Sequence, residues 1–249
     1  MTMDKDRLPT LVTGDLHGRH EVVDAVLAEG QPVVFVGDFL DSYDRTRDDQ
    51  LQTLRKVLTA VKEGKAQALM GNHEMSYLAT WMQASGHGVE MSVRLNSDFD
   101  GKNTYRSAMR EYLQPFVEVE GFLISHAGVS NKLLEHLDIT CQEYLDRGEY
   151  CDIGRIRGGN AVSGGLFWCD WNYDFEPVLG VKQIVGHTRG QAGLIRENEG
   201  NYCIDCLENE AGTATIAEIK DGELKQRTIE TDPPRHELNA VTEWERSER

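Results

Sequence analysis

At 249 residues with 39% hydrophobic content, the chain can bury one sizeable core as a single domain over residues 1–249, and no second domain is required. A formal net charge of -16 and a pI near 4.9 exclude a broad basic surface for gripping a nucleic-acid backbone, though not a nucleic acid held at one small site. Residues 1–8 are polar and lead into an apolar run too short for a signal-peptide core or a spanning helix, so a cytoplasmic location without membrane attachment is expected.

In chain order, residues 10–13 form a short β-branched run ending at Gly14, and Val22, Val23, Val26 and Leu27 then follow at helical spacing. The order repeats: residues 32–36 end at Gly37, and Leu51, Leu54, Val57, Leu58 and Val61 mark one buried helical face. Residues 66–70 stop at Gly71, with Met75, Leu78 and Ala79 entering a third helix. Such alternation predicts parallel strands with helices packed on the sheet faces. Residues 86–105 turn polar and Gly-rich, which reads as an inserted loop or cap. Residues 116–125 fit a strand or hairpin leading to His126, and 184–185 a short strand before Gly186. Asp221-Gly222 sits between residues 214–219 and 223–229 as a hairpin turn would, within a stretch from 202 to 228 expected to form a second sheet. Residues 233–249, rich in charge, are expected to be a peripheral tail.

Three of these strands each end in Gly followed at once by metal-ligating residue types: Gly14-Asp15-Leu16-His17-Gly18, Gly37-Asp38-Phe39-Leu40-Asp41 and Gly71-Asn72-His73-Glu74. Parallel strands deliver their C-terminal ends to one sheet edge, so the ligands should share a pocket there. Glycine beside each ligand lets the backbone approach an ion or phosphate that a Cβ would obstruct. His126 and His187 follow apolar runs in the same way, in Ser125-His126-Ala127-Gly128 and Gly186-His187-Thr188. A carboxylate, amide and imidazole set suits Mn, Fe or Zn, and mixed oxygen and nitrogen ligation suits two ions sharing a carboxylate.

The motifs GDLHG, GDFLD, GNHE, SHAG and GHT, in that order from Gly14 to Thr188, resemble the calcineurin-like metallophosphoesterases near the Ser/Thr phosphoprotein phosphatase branch and its bacterial and bacteriophage relatives. The resemblance implies an α/β fold: a four-layer αββα metallophosphoesterase sandwich with its metal site at the C-terminal strand ends. It implies two divalent ions, with Mn favoured: Asp15 and His17 on the first, Asp38 bridging, and Asn72, His126 and His187 on the second. His73 is then the proton donor to the leaving oxygen, oriented by Asp41. The family's second motif normally continues from its Asp into an Arg, whereas Asp41 is followed by Ser42-Tyr43-Asp44-Arg45. Arg45 and Arg157 are therefore the candidates for gripping phosphate, with Asn72 beside them. The alternative for Arg45 is a surface ion pair with Asp44 or Asp48.

His20, His87, His136 and His236 lack such motifs and read as structural, and Asp98, Asp100, Asp146 and Asp152 as solvated charges. Trp168 and Trp171 either flank the site or belong to the core. The five cysteines are expected to be reduced; Cys203 and Cys206 read C-x-x-C, but within a strand they would face opposite sides. The expected activity is metal-dependent phosphoester hydrolysis on a phosphorylated protein or small phosphoester. Dinucleoside polyphosphate hydrolysis, as of diadenosine tetraphosphate, is the rival enzyme reading. An inactive binding scaffold is the rival of another class, opposed by the complete ligand set with His73. Residues 86–105 and 141–163 are expected to wall the pocket.

Overall fold

The computed structural model describes residues 8–79, 82–207 and 212–232, so the expected charged tail at 233–249 lies outside the described residues. The first half runs β1 (Thr10–Thr13), α1 (His20–Ala28), β2 (Val33–Phe35), α2 (Arg47–Lys62), β3 (Ala66–Leu69), α3 (Asn72–Leu78), α4 (Val89–Arg94), α5 (Tyr105–Tyr112) and β4 (Leu113–Gln114). The second half runs β5 (Phe116–Val119), β6 (Phe122–Ser125), α6 (Asn131–Leu137), α7 (Cys141–Asp146), β7 (Lys182–Val185), β8 (Arg196–Asn198), β9 (Asn201–Cys203), β10 (Thr213–Lys220) and β11 (Glu223–Glu230). A short 3-10 turn covers Arg155–Arg157.

One six-stranded sheet has the order β11-β10-β1-β2-β3-β4, and a five-stranded sheet the order β5-β6-β7-β9-β8. Strands β1 to β4 run parallel to one another, as the strand and helix alternation predicts. Because β1 and β2 are buried on both faces, their sequences read as apolar runs rather than as alternation. Leu11, Val33 and Phe35 face the helices, while Val12, Val34 and Val36 meet Phe122, Ile124 and Ile184 of the other sheet. The helices therefore cover only the outer faces, and the result is the four-layer αββα sandwich.

Of the stretch expected to form the second sheet, only its start, in β9, does so. The hairpin β10-β11, turned at Asp221 and Gly222 with positive φ of 55° and 76°, joins the first sheet by pairing antiparallel with β1. It covers the edge of β1 that β2 leaves open, where unpaired N–H and C=O groups would otherwise face outward. Sheet two is built instead from the hairpin β5-β6, then β7, β9 and β8.

Residues 86–105 are also more ordered than a polar loop. They contain α4, whose Met91 is fully buried, as is Leu95 just beyond it. Val89 and Val93 of the same turn are exposed, so apolar residues at every second position concealed a helix. Helix α2 starts from a capping box in which Thr46 and Asp49 satisfy each other's backbone N–H groups.

Candidate active site

The strand-end loops meet at one edge of the sandwich. The loop after β1 carries Asp15 and His17, that after β2 Asp38 and Asp41, and the start of α3 carries Asn72 and His73. His126 follows β6 and His187 follows β7. Their order along the chain is the order in which parallel strands bring their C-terminal ends to the edge.

Asp38 stands at the centre. Its Oδ2 lies 3.3 Å from His126 Nε2, 3.8 Å from His73 Nε2 and 3.9 Å from His17 Nε2. Asn72 Oδ1 is 2.9 Å from His126 Nε2 and 2.9 Å from His187 Nδ1. Two sets of donor atoms result, His17 with Asp38 and His73, and Asp38 with His126 and His187, each within 4.8 Å. Asp15 adjoins these sets, its two carboxylate oxygens accepting the His187 backbone N–H at 3.0 and 3.1 Å. Neighbouring groups fix two rings: the His17 Nδ1 edge faces Leu40 O at 2.8 Å, and His126 Nδ1 faces Val36 O at 3.0 Å.

Four of these residues sit in the left-handed region: His17 (φ 41°), Asp38 (53°), Asp41 (58°) and His187 (63°). Such backbone costs of order 1–3 kcal/mol per residue and is characteristic of sites held by their surroundings. Glu74 supplies part of that hold. Fully buried, its carboxylate accepts the backbone N–H groups of Asp38 (2.8 Å), Phe39 (2.8 Å), Leu40 (3.1 Å) and Gly71 (3.2 Å). It stands among the sequence's candidate metal-ligating types, but it fastens the second loop to the third instead.

The glycines act between loops rather than toward an ion. A Cβ on Gly71 would lie 2.1 Å from Asp38 Oδ1, and one on Gly186 2.2 Å from Asp15 Oδ1. Replacement of Gly71 by alanine is therefore expected to displace the Asp38 loop, lowering both metal affinity and melting temperature. Metal titration and calorimetry on Gly71→Ala check this, and unchanged values for both would show that the loops are not so tightly interlocked.

His73 Nδ1 lies 3.1 Å from Asp41 Oδ2. Asp41 is held in turn by Tyr77, whose hydroxyl donates to Oδ1 at 2.6 Å, and its backbone N–H donates to Gln50 Oε1 at 3.0 Å. Tyr77 and Gln50 did not emerge from the motifs, although Tyr77 falls four residues after His73 on the same helix face, where such a partner is sought. Burial works against a charged His73 ring, but Asp38 and Asp41 outweigh it and push its pKa up to about 9.

Charge is otherwise poorly balanced in the cage. Burial would raise the Asp38 carboxyl, yet His126, His73 and His17 hold it well below the ordinary range. Burial, and then Asp205, push Asp15 well above it, while burial and His126 push His187 well below the ordinary imidazole value. His187 Nε2 is buried without a hydrogen-bond partner. Ionised Asp38, neutral His187 with an orphaned nitrogen, and two crowded acids in Asp15 and Asp205 all fit divalent cations, which relieve each of these conditions.

The cage opens into a cleft of about 430 Å³, lined among others by Arg19, Arg157, Arg189, Tyr43, Ser85 and Asp205. Arg157 reaches it and pairs with Asp170 at 2.8 Å. Arg45 is turned away: its guanidinium pairs at 2.8 Å with the buried carboxylate of Glu21 rather than with Asp44 or Asp48, and it does not line the cleft. Asp205 was hidden because Cys203 and Cys206, on either side of it, read as lying within a strand, whereas β9 ends at Cys203 and Asp205 and Leu207 line the cleft. All five cysteines are free thiols, and Cys203 and Cys206 are both buried. Trp168 packs edge-on against His187 with ring centres 5.9 Å apart, while Trp171 stacks on Phe175. His20 and His87 lie outside the donor sets; His236 is outside the described residues.

The sequence profile described as calcineurin-like phosphoesterase matches residues 8–189, a span that holds every donor of the cage. The chain belongs to the calcineurin-like phosphoesterase family. It is thus a phosphoester hydrolase of a family built around a dinuclear divalent metal centre, and the donor sets described above are candidate ligand groups for such a centre. Among solved structures, the fold is shared with a cold-active protein-tyrosine phosphatase of a psychrophilic Shewanella species, at 15% identity over 88% of this chain and 80% of that one, TM-score 0.53. A "putative diadenosine tetraphosphatase" is likewise similar, at 15% identity over 90% of this chain and 95% of that one, TM-score 0.54. At such identities the likeness extends to the fold alone. A search of curated protein sequences finds no significant match. Among the described residues, no helix is long and apolar enough to cross a membrane.

Proposed function

We propose that this calcineurin-like phosphoesterase is a phosphomonoesterase of the Ser/Thr phosphatase type, acting in the cytoplasm on phosphorylated side chains or similar small esters. The observation that carries the reading is His73, anchored through Nδ1 to Asp41 and presenting Nε2 to the cage 3.8 Å from Asp38 Oδ2. An alkyl ester needs such a donor, because its leaving alkoxide is too basic to depart without a proton.

Asp15, His17, Asp38, Asn72, His126 and His187 would hold two divalent ions, with Mn favoured by the mixed oxygen and nitrogen set. Bound there, such ions would supply charge neutralisation for the phosphate and a water acidic enough to act as nucleophile. The attack forms a new P–O bond in line with the ester bond that breaks. His73 Nε2 delivers its proton to the departing oxygen, and Asp41 stabilises the charged ring before transfer. Tyr77 and Gln50 hold Asp41 still. Arg157, at the cleft wall, favours binding of the anionic ester.

A second reading is favoured by a separate feature. Tyr43 lines the cleft yet is 89% exposed, beside Arg19, Arg157 and Arg189. An aromatic platform among guanidiniums suits a base attached to a polyphosphate chain. Protein stripped of metal and resupplied with Mn²⁺ is expected to hydrolyse an aryl phosphate, and then a phosphoserine peptide in preference to diadenosine tetraphosphate at equal concentration. Faster cleavage of the dinucleotide would favour the second reading. No turnover with any divalent ion would leave a binding scaffold.

A further inference from the structure

The family's phosphate-gripping arginine after Asp41 is displaced here to position 45, and Arg45 is committed to Glu21 with only 11% of its side chain exposed. The cleft has not lost a guanidinium, however. Arg19, which follows the first metal-ligand loop directly, lines the cleft together with Asp15, His17 and His73. Its Nη1 is 3.4 Å from both Leu16 O and His17 O, so the side chain rests on the backbone that carries His17. Its Nε is buried and has no hydrogen-bond partner.

The remaining nitrogen, Nη2, donates to Asp44 Oδ2 at 2.8 Å. The two partners differ in kind. Arg19 is 13% exposed and anchored, whereas Asp44 is 53% exposed, stands on the loop that the displaced motif creates, and has Ser42 Oγ as its own hydrogen-bond donor at 2.5 Å. The other cleft arginines are differently placed: Arg157 is tied to Asp170, whose side chain is only 6% exposed, and Arg189 is exposed. An exposed carboxylate on a buried, under-bonded guanidinium can be exchanged for a doubly charged phosphate at small cost, since the aspartate returns to water while the fork gains a better acceptor.

We infer that Arg19, with Arg157 left to a lesser role, takes over from the displaced motif arginine the grip on the substrate phosphate, and that Asp44 is its exchangeable counter-ion before substrate binds. The inference rests on the phosphoester reading of the cleft. It explains how the pocket retains an anion fork although the motif arginine has moved: the inserted residues Ser42, Tyr43 and Asp44 carry Arg45 away and bring a carboxylate to Arg19 instead.

The test uses the full chain loaded with Mn²⁺ and inorganic phosphate as the probe, with binding read by calorimetry and turnover read separately. Arg19→Ala is expected to weaken phosphate binding and raise KM by about tenfold to a hundredfold, with kcat changed less and bound Mn unchanged. Arg19→Lys, which keeps the charge but loses the fork, should fall between. Asp44→Asn should do the opposite, tightening phosphate and lowering KM, and should have no effect in the Arg19→Ala background. Phosphate binding unaltered in Arg19→Ala would overturn the assignment. Weakened binding in Asp44→Asn, or the same tightening with and without Arg19, would overturn the counter-ion role. Phosphate that binds through Arg19 in a protein that hydrolyses no ester would leave this inference standing and sink the proposed function alone.

Discussion

Replacing His73 by Asn is expected to lower kcat by about 10² to 10⁴ on an alkyl phosphate while both metals stay bound. The sign follows from where His73 sits. Position alone groups His73 with His17 and Asp38 as a possible ligand, since their donor atoms lie within 4.8 Å. Its setting separates it from them: the Nδ1 edge of His17 faces a backbone carbonyl, whereas that of His73 faces the Asp41 carboxylate, which favours the doubly protonated ring. A ring carrying protons on both nitrogens has no lone pair for a metal and a proton to give. Elemental analysis of His73→Asn separates the roles, because a ligand's loss would lower the metal content and a donor's would not. The defect should also shrink on an aryl phosphate, whose leaving group departs without help. An equal defect on both esters would remove His73 from proton delivery.

Asp38→Asn is expected to have the second large effect, this time on metal content. One carboxylate here faces three imidazoles, and its Oδ1 accepts the His73 backbone N–H at 3.0 Å. The amide keeps the shape but removes the charge shared between the two donor sets. The loss in metal affinity should exceed the 10- to 100-fold typical of outer-sphere partners, and turnover should fall with it. Titration with Mn²⁺, with circular dichroism to establish folding, reads the outcome. A folded Asp38→Asn variant that still bound two ions would show that Asp38 is not shared between them.

The motifs disclosed this site because the fold reduces to local signals at its working edge. Each parallel strand is an apolar run with a glycine at its end, and the residues after it have nowhere to go but the common edge. That Asp15, His17, Asp38, Asn72, His126 and His187 would converge was legible for that reason. Glu74 was legible as a residue but not as a role, since only the fold shows its carboxylate to be spent on four backbone N–H groups. Gln50 and Tyr77 were silent because a polar residue on a helix announces nothing about which loop packs against it. The hairpin β10-β11 was read correctly as a hairpin and assigned to the wrong sheet: pairing partners far apart in sequence leave no mark in either strand. Arg45 shows the same limit. Its distance from Asp41 was readable, but its capture by Glu21 depends on α1, twenty-odd residues upstream.

The residues between Asp41 and α2 also set this chain apart chemically. Arg45 there pairs with Glu21 outside the cleft, while Tyr43 and Asp44 line it.

The most direct test of the metal cage is the anomalous difference map of crystals grown with Mn²⁺. Two peaks about 3.5–4 Å apart are expected, one beside Asp15 and His17, the other beside Asn72, His126 and His187, with Asp38 touching both. A single peak, or manganese bound anywhere other than this edge of the sandwich, would contradict the account.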